Sequence, residues 1–469
     1  MGRAGGRRRR ARRQLPLLRP PEGRRDGPGG RRRTVPRAVP HVPRRLSRRL
    51  PRRGAPGGAA ALPRLPRARH RPPALVPGAR ARDAGGPDPA RDAPARGRRA
   101  PPRRGARPPP GGAVTWAIWI TGLPGSGKSA LARGATAALR ERGVPVVHLE
   151  LDVIRKTLTP TPTYSETERD VVYRALVSMA TALTDAGVPV IIDATAHRRA
   201  WRELARASIA RFAEVQLECP LEVCRRREAQ RTGGHAPRGI YARAGAPGAR
   251  VPGVDVPYEP SFAPERVIDT ARRDVAASVH QIVSLAQRLG GDAGAGAGPW
   301  IPGGGWAIWI TGLPGSGKTT LASAVAGALA GHGVPVRVLD LCALRAFVLN
   351  ERPESDATRE IVHRALACTA KLLTDAGVAV IVDATASRRA WREMARALIG
   401  RFAEVQLLCA REVCVERERA VRWRLGGGRP GSPPRAVAPP EIAVDYEPSL
   451  SPDLTLHTDL QDLGSAAEE

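Results

Sequence analysis

The sequence predicts an α/β protein built from two doubly wound, mainly parallel sheets, each with helices on both faces. Three observations carry this expectation. The stretch WAIWITGLPGSGK occurs at residues 116–128 and again, letter for letter, at 306–318. At the same offset, TDAGVPVIIDATAHRRAWRELAR pairs with TDAGVAVIVDATASRRAWREMAR, and RFAEVQLECPLEVC pairs with RFAEVQLLCAREVC. Within each copy, short apolar runs alternate with helical patterns, which implies parallel strands buried on both sides.

The elements follow in order. AIWIT (117–121) is a short apolar run and reads as the first strand; a Gly-rich turn follows, and GKSALARGATAALRER reads as a helix. PVVHL is a second strand. SETERDVVYRALVSMATALTDAG opens with Ser165 and places Glu168 three residues on, a capping-box signature, and continues helically to Gly187. VPVIIDA, RRAWRELARASIAR, FAEVQLEC and LEVCRRREAQ supply further strand and helix pairs. Ligands of such sheets bind beyond the carboxyl ends of the strands. The expected organisation is a tail at 1–113, one unit at 114–288, a Gly/Ala-rich linker at 289–304 (within AQRLGGDAGAGAGPWIPGGG) and a duplicate unit at 305–469.

The formal charge of +32 is concentrated in the tail. Residues 1–113 hold 33 Arg, no Lys and 5 acidic side chains, whereas the remaining 356 residues are close to neutral. Blocks such as GRRRRARRQ and RGARPPPGG have no lasting apolar period and read as disordered. Four origins stay open: a solvated arm, a nucleic-acid or membrane-surface arm, a transit peptide, and a stretch that is not translated. The last is favoured by the Arg-over-Lys bias of a GC-rich gene and by a possible GTG start at Val114. Nucleic acid is therefore a partner only if the tail is real. No apolar run reaches the roughly 18 residues of a membrane span, and no signal segment opens the chain, so a cytoplasmic protein without a membrane partner is expected. The six cysteines form no CxxC pair and read as thiols rather than a metal site.

The first strand ends in Gly122-Leu123-Pro124-Gly125-Ser126-Gly127-Lys128-Ser129, a full Walker A motif. Its glycines let successive N–H groups face phosphate oxygens, and the next helix adds its positive end. Lys128 can reach the outer phosphates, and the Ser129 hydroxyl can hold Mg2+. The second copy keeps Gly312, Gly315, Ser316, Gly317, Lys318 and Thr319. These are two P-loop NTPase-type domains. Without an NKxD-type guanine reader, ATP is the expected donor.

Further residues resemble the adenylylsulfate kinases, P-loop kinases that phosphorylate the 3′-hydroxyl of adenosine 5′-phosphosulfate (APS). The family motif LDGDNVR is similar to Leu149-Glu150-Leu151-Asp152-Val153-Ile154-Arg155. GLYKKARAG followed by FTGIDDPYE is similar to Gly239-Ile240-Tyr241-Ala242-Arg243 and Val251-Pro252-Gly253-Val254-Asp255-Val256-Pro257-Tyr258-Glu259. PLEVC (220–224) and PERVIDT (264–270) also match. The resemblance implies that Asp152 is the base and a magnesium aid; its alternative is an N-cap for a helix starting at Val153. It implies that Arg155 and Arg169 grip the phosphosulfate, that Tyr164 stacks on adenine, and that 233–257 is a mobile lid. Arg198, Tyr241 and Asp255 join them as candidate substrate contacts.

The chain departs from the family at Val153, at Val251 where a second stacking Phe is expected, and at Ile192-Asp193-Ala194-Thr195-Ala196-His197-Arg198. Asp193, ending a buried strand, either ligates Mg2+ or caps the next helix. This stretch also resembles polynucleotide kinases, so another hydroxyl acceptor stays open, as does a non-catalytic nucleotide switch. In the second copy Cys342 replaces Asp152, Glu354 replaces Tyr164, and GGGRPGSPPRAVAPP stands in place of the lid. That unit is expected to bind ATP and to be degenerate as a kinase. Either a homo-oligomer or intramolecular pairing of the two units is expected.

Overall fold

The computed structural model describes residues 115–291, 304–425 and 445–460. The tail at 1–113, linker residues 292–303 and the GGGRPGSPPRAVAPP stretch (426–440) lie outside the described residues.

In the first module β1 (Trp116–Thr121) is buried along its whole length, as expected for a strand flanked by neighbours and covered on both faces. Around it lie α1 (Lys128–Glu141), β2 (Val147–Glu150), α2 (Leu151–Leu158), α3 (Glu166–Asp185) and β3 (Val190–Asp193). Then come α4 (Arg199–Ser208), β4 (Arg211–Glu218), α5 (Leu221–Ala229), β5 (Arg266–Asp269) and α6 (Val275–Gly290). The sheet runs β2-β3-β1-β4-β5, parallel throughout. Helix α6 continues to Gly290, two residues into the stretch that composition assigns to the linker.

The second module repeats this plan. It comprises β6 (Ala307–Gly312), α7 (Lys318–Gly331), β7 (Val336–Asp340), α8 (Leu341–Leu349), α9 (Asp356–Asp375), β8 (Ala379–Asp383), α10 (Arg389–Leu398), β9 (Phe402–Leu408), α11 (Arg411–Leu425) and β10 (Leu454–His457). Its sheet order is β7-β8-β6-β9-β10, again parallel. The fold class expected from sequence, two P-loop α/β domains, is the one observed.

One capping expectation is corrected. Ser165 Oγ accepts the Glu168 N–H at 3.2 Å, but Glu168 does not return the bond. Its carboxylate turns instead to Thr163 and, at 3.1 Å, to Arg155. The reciprocal box forms in the second module, between Ser355 and Thr358.

A single cluster of buried apolar side chains runs through both modules, from Val171, Leu176 and Met179 on α3 to Val362, Leu366 and Leu373 on α9. Two hydrogen bonds at its edge are related by the repeat. Arg174 Nη1 donates to Phe347 O at 3.3 Å, and its counterpart Arg364 Nη1 donates to Thr157 O, the counterpart carbonyl, at 3.1 Å. Reciprocal contacts between equivalent residues define an isologous, two-fold-like pairing. Here both halves come from one chain.

Candidate active site

The phosphate cradle forms where β1 meets α1. Gly125 has φ +79°, and a Cβ there would lie 2.4 Å from the Cys224 carbonyl oxygen, so the backbone admits only glycine. Gly127, at φ +99°, caps α1. Thr270 Oγ1, just past β5, donates to Ser126 O at 2.8 Å and ties the loop to the sheet. Lys128 Nζ donates to Leu123 O at 2.9 Å, folded back on the loop that it serves. Burial lowers the Lys128 pKa, against the opposing pull of Asp193 and Asp152.

Beyond the cradle opens a cavity of about 540 Å3, lined among others by Gly125, Gly127, Lys128, Ser129, Asp152, Arg155, Tyr164, Arg169 and Asp193. That volume suits a nucleotide-sized ligand. Asp152 is the second residue of α2, and the N-cap of that helix is Glu150, so the capping alternative for Asp152 is not what forms. Its carboxylate makes no hydrogen bond or ion pair among the described residues. Burial raises its pKa; Lys128 opposes the shift and Asp193 adds to it.

Two guanidinium groups lie near the Tyr164 ring, Arg155 at 5.2 Å and Arg169 at 5.7 Å from its centroid. Tyr164 has φ +53°, a conformation costly for a tyrosine, and the Arg169 Nε–H···O bond to its carbonyl, at 3.0 Å, helps hold it. Arg155 is buried and paired with Glu168. Among the described residues Arg169 bonds only to neutral carbonyls, those of Tyr164 and Arg250. Of the two arginines beside Tyr164, Arg169 is therefore the one without an ion-paired acid among the described residues, and burial lowers its pKa.

The 233–257 segment lines this cavity, and two of the bonds that latch it reach the P-loop and α3. Tyr241 Oη donates to Pro124 O at 2.8 Å on the P-loop, and Arg250 Nη1 donates to Glu166 Oε1 at 2.7 Å on α3. Asp255 does not face the cavity. Its two oxygens accept the N–H groups of Gly245 and Val251, each at 2.8 Å, and so shape the segment from within. Tyr241 and Asp255 line a second hollow instead. Arg198 is also not brought to the cavity; it pairs with Glu166 and lies over Trp201. The Tyr258-Glu259 stretch is a clip: Glu259 N donates to His197 O at 2.8 Å, and Tyr258 Oη and Thr121 Oγ1 are 3.0 Å apart.

Sequence reasoning missed Tyr173, His197, His148 and Glu150. Tyr173 and His197 line the cavity. The His197 ring is buried without a hydrogen-bond partner among the described residues, and burial holds its pKa near 4. For two of them the signal was available: Tyr173 on α3 and His197 in the loop after β3 have no duplicate, the second module having His363 and Ser387.

Donors for a divalent cation converge beside the cradle. Asp193 Oδ2 is buried without a hydrogen-bond partner among the described residues and faces His148 Nε2 at 3.8 Å. Atoms of His148, Glu150 and Asp193 all lie within 4.8 Å of one another. Asp193 does not cap α4, whose N-cap is Arg198. In the second module Thr319 Oγ1 donates to Asp383 Oδ2 at 2.5 Å, so the Walker hydroxyl and the strand-end carboxylate are close enough to share a ligand. Carboxylates plus a hydroxyl fit Mg2+.

The second module keeps the cradle, with Lys318 Nζ bonded to Leu313 O at 2.9 Å. Its acceptor side differs. Cys342, in place of Asp152, is exposed on α8. Glu354, in place of Tyr164, pairs with Arg359 at 3.5 Å and Arg345 at 3.9 Å, so a built-in carboxylate occupies the space between these arginines and an incoming anion. Helix α11 also runs on to Leu425, whereas α5 stops at Ala229 before the covering segment.

No helix among the described residues is long and apolar enough to cross a membrane. The adenylylsulphate kinase family model matches residues 114–269 and 304–424. A probable adenylyl-sulfate kinase of Archaeoglobus fulgidus is 37% identical over 162 residues, covering 34% of this chain and 99% of the relative. An adenylyl-sulfate kinase of Synechococcus sp. is 35% identical over 175 residues, covering 37% and 95%. The solved APS kinase of Mycobacterium tuberculosis in complex with AMPPNP and APS is 31% identical, covers 36% of this chain and 96% of its own, and aligns with a TM-score of 0.33. With two family matches that together span more than half of its length, the chain belongs to the adenylylsulphate kinase family, ATP-using phosphotransferases with an alcohol acceptor.

Proposed function

We propose that the first module (114–288) transfers the γ-phosphoryl group of ATP to the 3′-hydroxyl of adenosine 5′-phosphosulfate, and that the second module (305–469) binds nucleotide without comparable transfer. The observation that carries this reading is the unpartnered Asp152 carboxylate, which shares one cavity with the Walker lysine and an arginine-flanked aromatic ring.

Backbone N–H groups of Gly125 to Lys128 orient the triphosphate, and Lys128 exchanges Leu123 O for phosphate oxygens. Tyr164 supplies a stacking face for adenine, and Arg169 supplies the charge for the phosphosulfate. Arg155, already neutralised by Glu168, keeps the ring in place. The acceptor oxygen attacks the γ-phosphorus, the bond to the β–γ bridging oxygen breaks, ADP leaves, and Asp152 takes the hydroxyl proton. Ser129, Asp193 and Asp152 would hold Mg2+, which offsets charge on the phosphates. The covering segment excludes water, which would otherwise compete as acceptor.

The test is an ADP-release screen of the full chain with APS, short oligonucleotides and small alcohols as acceptors. Turnover with APS at least tenfold above the others is the expected result. Preference for an oligonucleotide or a small alcohol would overturn the acceptor assignment, and nucleotide binding without transfer to any acceptor would leave a switch.

A further inference from the structure

Asp170 lies next to Arg169 on α3, yet its carboxylate faces away from the cavity and towards the second module. Its Oδ1 accepts the Trp201 indole N–H at 2.7 Å. Its Oδ2 accepts Arg174 Nε at 3.0 Å and, across the module boundary, Arg352 Nη1 at 2.5 Å. Arg352 follows Asn350 and Glu351, both at positive φ, at the end of α8.

Trp201 passes this anchorage to the cavity wall. Its ring stacks on Tyr173 with centroids 4.0 Å apart at 11°, and the His197 ring meets it edge-on at 5.1 Å. Tyr173 Oη in turn accepts the Ala196 N–H at 2.9 Å, on the loop that carries His197. The arrangement is one-sided. In the second module Glu360 repeats the bonds to Trp391 and Arg364, at 2.6 and 2.7 Å, but the residue matching Arg352 is Pro162, a side chain with no donor to offer in return. Burial alone would raise the Asp170 pKa; the bonds from Trp201, Arg352 and Arg174 outweigh it and hold the group ionised.

We propose that Arg352 is a positioning residue of the first module's active site, supplied by the second module and acting through Asp170 and Trp201 on the Tyr173–His197 wall. The duplicate thus braces its neighbour's acceptor side, an effect that builds on the kinase reading above. A packed two-ended network of this kind changes distant sites by a few-fold to some thirtyfold.

The test compares full-length wild type, Arg352→Ala, Arg352→Lys and Asp170→Asn by amide hydrogen exchange and by steady-state kinetics. Expected in Arg352→Ala are faster exchange at 163–173 and 194–202, an acceptor KM raised about five- to tenfold, a KM for ATP within twofold of wild type, and partial return in Arg352→Lys. Unchanged exchange in those segments, or equal rises in both KM values, would overturn the brace. Exchange is read without acceptor, so a wild type inactive on APS would fail the acceptor assignment and still leave the brace tested. Asp170→Asn keeps the side-chain shape and gives the same reading should Arg352→Ala not fold.

Discussion

Replacing Asp152 by Asn keeps the size and one acceptor oxygen of the side chain and removes its charge, and with it the ability to take a proton and its share in holding Mg2+. No hydrogen bond or ion pair among the described residues is lost with the charge, so the fold has no structural claim on it. A positioned general base contributes about 10²–10⁴ in rate, equivalent to about 3–5 kcal/mol of barrier at 1.36 kcal/mol per decade. Turnover measured as ADP release should fall by that factor, with the KM for ATP within threefold.

Stability should move the other way. The folded-state pKa of Asp152 is raised by burial, so the native state binds this proton more tightly than the unfolded chain does. The cost of ionising it is absent below the unfolded pKa, grows as pH rises to the folded pKa, and is full above it. Asp152→Asn should therefore melt higher than wild type at neutral pH, the advantage vanishing in acid. The acid limb of the pH–rate profile should likewise lie above the ordinary Asp value of 3.8. A variant retaining more than a tenth of wild-type turnover, or melting lower at pH 7, would refute the reasoning.

Other outcomes are as direct. Lys128→Ala should abolish acceptor-dependent turnover while Lys318→Ala leaves at least half of it; equal losses would contradict the asymmetry between the modules. Tyr241→Phe removes one latch of the covering segment, worth about 0.5–1.5 kcal/mol, and should raise the KM for ATP about two- to tenfold in the same assay. Glu214→Gln strips the partner of Arg202, both side chains being almost wholly buried at 2.6 Å; breaking such a pair costs about 3–5 kcal/mol and should lower the first melting transition by roughly 10 °C.

Much of this was readable in the residues. The cradle was legible because its glycines answer local backbone demands, and the position of Asp152 because the second strand ends two residues before it, beside that cradle. Residues whose roles depend on distant partners were misread or missed. Arg198 and Asp255 look like ligand contacts in a motif, but Glu166 and two loop amides claim them. The Ser165 signature promised a reciprocal cap, but Thr163 and the buried Arg155 engage the Glu168 carboxylate instead. Nothing near Arg352 in sequence announces Asp170, 182 positions earlier, since only packing of the two modules joins them.

The paired Arg174 and Arg364 contacts carry a consequence for how such a protein can vary. When two identical subunits associate, every substitution at their junction is made twice, and both sides must tolerate it. Joining the partners in one polypeptide lifts that doubling and makes their association independent of concentration. One half can then give up its base, fill its own anion pocket and lend an arginine to the other, changes that a symmetric pair could accept only by disabling itself.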